Sequence, residues 1–198
     1  MNNKKNTYFA AAALIFVGAF SRFLDFMPNF SPMESIALFG AAYLGHKVLA
    51  YAVPIIAMYV SDLVLNNTLT RAFFPDKEGI VLFDDYMIYN FIGMIAIVAV
   101  GRVILKNVSS VKVGAGALIA SSLFFVITNI GSWLSLPIYT KDLTGLTTAY
   151  GAGLPFFNNS WVSTLIFSTI LFGSFEFYKK FTNSKITDNL ALSEVTTK

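Results

Sequence analysis

The sequence predicts an all-α integral membrane protein with six transmembrane helices, and three observations lead there. Apolar residues make up 56% of the 198 positions and charged residues only 13%, about half the roughly 25% charge of a soluble domain. The mean hydropathy is +0.65. The apolar residues also fall in long runs, and about 20 helical residues cross a hydrocarbon layer about 30 Å thick. Disordered, fibrous and disulfide-rich classes are excluded. Cysteine is absent, which rules out disulfides, thiolate chemistry and cysteine-held metal clusters. The net charge of +3 reports orientation in a membrane rather than affinity for nucleic acid, which is not an expected partner.

Residues 1–7 read as a cytoplasmic N-terminus carrying Lys4 and Lys5. The first span, Tyr8–Leu24, contains Arg22 and is not followed directly by an A-x-A cleavage site, so it reads as a helix and not a signal peptide. The second, Met33–Gly45, is short and has to be tucked among the others. Val48–Leu65, Tyr86–Leu105, Val113–Leu134 and Trp161–Tyr178 are full-length spans. The transmembrane domain covers 8–180, and 181–198 reads as a flexible cytoplasmic tail.

Placing the N-terminus in the cytoplasm puts ten of the 14 basic residues inside, leaving Arg22, Arg71, Lys77 and Lys141 outside, while most acids fall on the outer side. By the positive-inside rule both termini are cytoplasmic. Inner connections are short. The outer ones, Asp25–Pro32, Asn66–Asp85 and Ser135–Ser160, are long and rich in Pro, Gly and aromatics. They read as extracytoplasmic loops folded over the bundle as lids.

Polar residues inside apolar helices carry the functional signal. Arg22 stands 14 residues from the inner end of the first span and Asp62 14 residues from that of the third, both about 21 Å up at 1.5 Å per residue. Asn129 on the fifth span arrives near the same depth, and Asn90 near the outer start of the fourth joins them. An Arg and an Asp at one depth invite pairing, since an isolated charge costs about 2.5–3.5 kcal/mol at a helix centre. The pair either pins the first helix to the third or borders a polar cavity open to the outside. The polar stripe Phe125, Thr128, Asn129, Ser132 favours the cavity. So do the loop aromatics Trp133, Tyr139, Tyr150, Phe156 and Phe157, next to Asn158. The prolyl segment Pro28-Asn29-Phe30-Ser31-Pro32, with Glu34 just inside the next helix, adds a second lid. The candidate binding set is thus Arg22, Asn29, Phe30, Asp62, Asn90, Asn129, Trp133, Tyr150, Phe156, Phe157 and Asn158. Such a pocket suits a flat organic ligand. Ala37, Ala41 and Gly45, and Gly116 with Ala120, have the four-residue spacing of closely packed membrane helices or of a docking face.

No phosphate-binding G-x-x-x-x-G-K-[ST] loop is present, so the chain is not its own ATPase. The single histidine, His46, lies in an inner turn, away from Asp62. No Ser/His pair or paired aspartates stand ready for hydrolysis, so neither an enzyme, a cofactor nor a metal site is expected.

The stretches Arg22 … Pro28-Asn29-Phe30-Ser31-Pro32 … Ser35–Ala41, Pro54 … Ser61-Asp62-Leu63, Leu123-Phe124-Phe125 … Thr128-Asn129 … Trp133 and Gly145-Leu146 … Tyr150 … Leu154–Asn158 carry a family resemblance. Together they resemble an uncharacterised family of bacterial six-helix proteins assigned to transport. That family is similar in layout to the substrate-binding S components of energy-coupling factor (ECF) vitamin transporters. The resemblance implies a bacterial inner-membrane protein that binds a small nutrient beneath its outer loops. It implies a vitamin such as a corrinoid as ligand, and an ECF-type energising module or another membrane protein as partner. S components commonly dock through Ala-x-x-x-Ala on their first helix; here the clean Ala37/Ala41 pair lies on the second. The competing expectation is a non-catalytic accessory or structural subunit of a larger membrane complex.

Overall fold

Six α-helices in the described residues follow the apolar runs, but with boundaries that change the architecture. The computed structural model describes residues 2–23, 27–74 and 77–196, with side chains from 8 to 182 of these, residue 73 excepted. Leu24, Asp25 and Phe26, Pro75 and Asp76, and the side chains of the 183–198 tail lie outside the described residues. The helices are α1 (Asn2–Ser21), α2 (Met33–Tyr43), α3 (Lys47–Asn67), α4 (Asp85–Ile104), α5 (Ser110–Ser135) and α6 (Leu143–Thr196), with a 3-10 turn at Arg71–Phe73.

Four segments are long and apolar enough to cross a membrane: α3, α4, α5 and Leu143–Thr182 of α6. Their outer faces carry exposed Ile56, Ile92, Ile119, Val126 and Ile166, as expected of helices whose surroundings are as apolar as their core. Of the six expected spans, these four have the length and composition of a membrane-crossing helix among the described residues. The apolar part of α1, Tyr8–Ser21, is shorter than a span. At 11 residues, α2 reaches only about 16 Å.

Helix α2 is instead the centre of the molecule. It packs on α3, α4, α5 and α6, while α1 lies against α3 and α2. Ile36 and Ala37 are fully buried, with Met33 and Leu38 1% exposed. Small residues make the crossings possible. A Cβ on Gly101 would stand 3.0 Å from Ala41 Cβ, and one on Gly18 would stand 3.0 Å from Ile36 Cδ1. Ala37, Ala41, Gly116 and Ala120 are all buried, so these small residues serve internal packing. The alternative to such contact in a bilayer is lipid, so close packing and interhelical hydrogen bonds hold α2 in place. Two such bonds are Ser35 Oγ donating to the Thr164 carbonyl at 2.9 Å and Ser168 Oγ donating to Ser35 Oγ at 3.1 Å.

A correction concerns the segment 135–160, expected as a long lid. The connection is only 136–142, and α6 begins at Leu143, 18 residues before the expected Trp161. Asp142 makes the start: its Oδ1 accepts from the Gly145 amide at 2.8 Å and its carbonyl from the Leu146 amide at 3.0 Å. Thr140 donates to the same Oδ1 at 2.7 Å. Lys141 Nζ caps the other side of the connection, donating to the carbonyls of Trp133 and Leu136 at the end of α5. Pro155 lies inside α6. It has no N–H for the carbonyl four residues back, a local loss that the packing of α6 along α5 outweighs.

The other two connections at this end are ordered by side chains. Asn67 brackets Val81, accepting from its amide at 2.8 Å and donating to its carbonyl at 2.9 Å. Arg71 donates to the carbonyls of Phe74, Lys77 and Gly79. Before α2, Asn29 adopts φ +59°, a left-handed conformation that Asn tolerates better than most residues. The Asn159 amide of α6 donates to the Pro28 carbonyl at 3.0 Å, and Phe30 packs edge-on to Phe167 at 5.6 Å.

Candidate functional site

Cross-helix contacts give neighbouring helices alternating directions. Asp62 of α3 meets Asn90 of α4, Gly93 of α4 faces Phe124 of α5, and Gly153 of α6 faces Asn129 of α5. One end of the bundle therefore gathers the ends of α1, α3 and α5 and the beginnings of α2, α4 and α6. A cavity of about 350 Å³ opens there. Its polar lining comprises Arg22, Asn29, Ser31, Glu34, Tyr86, Asn90, Thr128, Asn129, Ser132, Tyr139 and Ser160. Phe124, Phe125, Phe156, Phe157, Met33 and Met58 supply the apolar walls.

Arg22 is the organising side chain. Its Nη1 donates to Asp62 Oδ1 and to Ser61 Oγ, both at 2.5 Å, and to the Met58 carbonyl at 3.4 Å. Asp62 is 1% exposed and Arg22 21%, so the carboxylate is sealed behind the guanidinium, which faces the cavity. Asn90 Nδ2 reaches the second oxygen, Asp62 Oδ2, at 3.4 Å. A carboxylate in such a place is tolerable only with its counter-charge and donors in hand.

Glu34 faces the same cavity from the first turn of α2, 4% exposed. Its Oε1 accepts from Ser160 Oγ of α6 at 2.7 Å. No ion pair reaches it among the described residues.

The wall opposite is built by α5 and α6. Phe125 and Phe157 pack at a 34° tilt with centroids 4.7 Å apart, and Tyr150 lies edge-on behind Phe125 at 5.5 Å. Ala149, Gly153, Phe156 or Phe157, and Ser160 recur at helical spacing, so one face of α6 supplies this side. A Cβ on Gly153 would run into the Asn129 carboxamide, so any larger residue there requires Asn129 to shift. Asn129 itself donates to the Phe125 carbonyl at 2.8 Å. Behind Tyr86, whose hydroxyl donates to Asn66 Oδ1 at 2.8 Å, the Asn66 Nδ2 is a buried donor without a partner among the described residues.

Of the candidates drawn from the sequence, Arg22, Asn29, Asn90, Asn129, Phe156 and Phe157 line the cavity. Asp62 stands directly behind Arg22. Phe30 lines a second hollow of about 370 Å³ with Leu65 and Leu69 on the far side of Arg22, Asn29 and Ser31. Trp133 does not line the main cavity: its Nε1 donates to the Thr140 carbonyl at 2.8 Å and steadies the 136–142 connection. Tyr150 backs Phe125 and donates to the Val126 carbonyl at 3.0 Å. Asn158 is exposed on α6 outside the cavity. Sequence reasoning leaves Glu34, Tyr86, Phe124 and Ser160 out of the set. The available signal for Glu34 was an acid at the head of an apolar helix; its partner Ser160 is 126 residues away and gave none. Among the described residues no group of three His, Asp or Glu side chains is placed to hold a metal ion.

The model of a family of unknown function (DUF6580) matches residues 2–186. No curated protein and no solved structure matches the chain. The chain belongs to the DUF6580 family.

Proposed function

We propose that this DUF6580 protein binds a small organic nutrient in the cavity beside Arg22 and serves its uptake across the bacterial inner membrane. The observation that carries the reading is a hollow of about 350 Å³ in which an ion-paired Arg, a carboxylate, three carboxamides and four phenyl rings converge. A mere structural pin between α1 and α3 needs no such void, and polar groups around an aromatic-walled concavity are the usual make-up of a ligand site. Intramembrane ionisable residues mark substrate paths more often than they mark packing.

Charge supports an outward orientation. Lys47, Arg102, Lys106, Lys112, Lys179 and Lys180 gather at the end away from the cavity, against Arg22, Arg71, Lys77 and Lys141 at its own end, which by the positive-inside rule faces the cavity outward. The ECF S-component-like reading fits this layout, with energy supplied by a separate module. The volume lies at the low end of the roughly 300–1,000 Å³ of drug-sized sites. It suits one or two fused rings better than a corrinoid macrocycle.

Native mass spectrometry of the protein purified in detergent from its own host tests the reading. Ala152 of α6 lines the cavity, and a discrete bound mass that disappears in Ala152→Trp, which fills the cavity from α6, is the expected result. An empty protein that carries stoichiometric partner subunits would instead favour the accessory-subunit role.

A further inference from the structure

The cavity has an unbalanced charge, and every cation near it is already engaged. Arg22 is neutralised by Asp62 at 2.5 Å. Arg71 is spent on the carbonyls of Phe74, Lys77 and Gly79. Lys77 pairs with Asp84 at 3.3 Å. Lys141 caps the end of α5. Residues 24–26 and 75–76, outside the described ones, include no Lys, Arg or His in the sequence. Glu34 accepts from Ser160 Oγ at 2.7 Å and feels the field of Arg22 and of the α2 terminus, but no Lys, Arg or His forms an ion pair with it among the described residues. With Glu34 ionised, Arg22, Asp62 and Glu34 give the site one net negative charge, in walls formed by Phe124, Phe125, Phe156 and Phe157; burial holds that charge back until a cation is present.

A buried carboxylate without a counter-ion is costly, and the cost is recovered when a ligand brings the missing charge. Phenyl faces attract a cation as well, through the negative face of the ring. Resting on the binding-site reading above, we infer that the cavity selects a flat organic cation, a one- or two-ring heteroaromatic carrying a positive charge, with Glu34 as its charge-recognising residue. The rings stack against Phe125 and Phe157 while the carboxylate of Glu34 faces the charged end. Arg22 stays with Asp62 and sets the opposite wall.

Three probes of nearly equal shape separate charge from fit: 1-methylquinolinium, neutral quinoline and anionic 1-naphthoate. Binding to the detergent-solubilised full chain is measured by equilibrium dialysis at neutral pH for wild type, Glu34→Gln and Ala152→Trp. The Gln side chain keeps an oxygen for Ser160 and removes only the charge, and circular dichroism checks that each variant is folded. Wild type is expected to hold 1-methylquinolinium at least tenfold more tightly than quinoline or 1-naphthoate. Glu34→Gln is expected to erase that preference, and Ala152→Trp to lose all three. Equal or tighter binding of quinoline or 1-naphthoate, still lost in Ala152→Trp, would overturn the cation inference and leave the binding site standing. A cation preference unchanged in Glu34→Gln would overturn the role of Glu34. If wild type binds none of the probes beyond the level of Ala152→Trp, the inference falls together with the site.

Discussion

The α2–α6 interface carries a buried or half-buried glutamate at each end, and the two are treated differently. At the cavity end Glu34 meets Ser160 and a void. Sixteen residues further along α6, Glu176 accepts from Tyr43 Oη at 2.5 Å and pairs with Lys179 at 3.0 Å. Around it Tyr43 packs on Phe175 at 4.4 Å and on Phe172 at 5.4 Å, with Phe39 against both phenylalanines at 5.4 Å. Lys179 lies 5.6 Å from the Tyr43 ring centroid. One carboxylate has its phenol, its ammonium and an aromatic cluster; the other has a hydroxyl and no ion pair among the described residues. Glu176 also lines a hollow of about 370 Å³ between α5 and α6, so the two ends differ in charge pairing and not in open space, and Glu34 is the acid left for something else to satisfy.

The sharpest way to break this comparison is to strip the charge from the cavity floor. Arg22→Met leaves Asp62 buried without a cation, which should destabilise the protein by about 3–5 kcal/mol. Reversible unfolding in mixed micelles measures the loss, and restoration in Arg22→Met/Asp62→Leu would show that the orphaned carboxylate caused it. Retained stability in Arg22→Met alone would mean that the pair is idle.

A smaller effect is expected from Gly153→Ala, whose new methyl group collides with the Asn129 carboxamide. Overpacking of this kind costs about 1–3 kcal/mol. Because Asn129 lines the cavity, ligand affinity should fall along with the melting temperature. A stable variant with unchanged affinity would show that Asn129 is free to move aside.

At the Glu176 end Lys179→Ala should cost at most about 1 kcal/mol, since the two side chains of that ion pair stay 48% and 38% exposed and are screened by solvent. Ligand binding should be unaffected, and any change in it would mean that the two ends communicate. The smallest effect belongs to Asp142 at the start of α6. The Gly145 amide, then the Thr140 hydroxyl, hold its carboxyl below the usual carboxylate range. A depressed folded value stabilises the native state above the unfolded value of about 3.9 and loses that contribution as the pH falls through the folded value. The stability difference between wild type and Asp142→Ala should accordingly be constant from pH 7 to 5 and vanish in strong acid.

Much of the polar layer was legible in the sequence because cost makes it visible. Arg22 and Asp62 stand out in apolar runs, and equal depth from the helix starts was enough to pair them. Asn90 and Asn129 stood out for the same reason. Phe156 and Phe157 were rightly placed near the cavity for a mistaken architectural reason: Pro155 and the glycines around it suggest a lid, yet Asp142 and Thr140 start a helix that carries both rings on one face. Tyr150 and Trp133, equally prominent as aromatics, turned out to support the wall and the connection from behind.

The sequence by itself determined the helical class, the apolar outer faces and the charge asymmetry between the two ends, because each follows from composition and period along one chain. Tertiary structure alone decided that the short α2 becomes the core, that α6 extends 18 residues upstream, and that Glu34 finds Ser160 and no cation. Those outcomes rest on contacts between residues far apart in the chain. Whether a buried acid is paired or waiting depends on what the other helices bring to it, which no local pattern records.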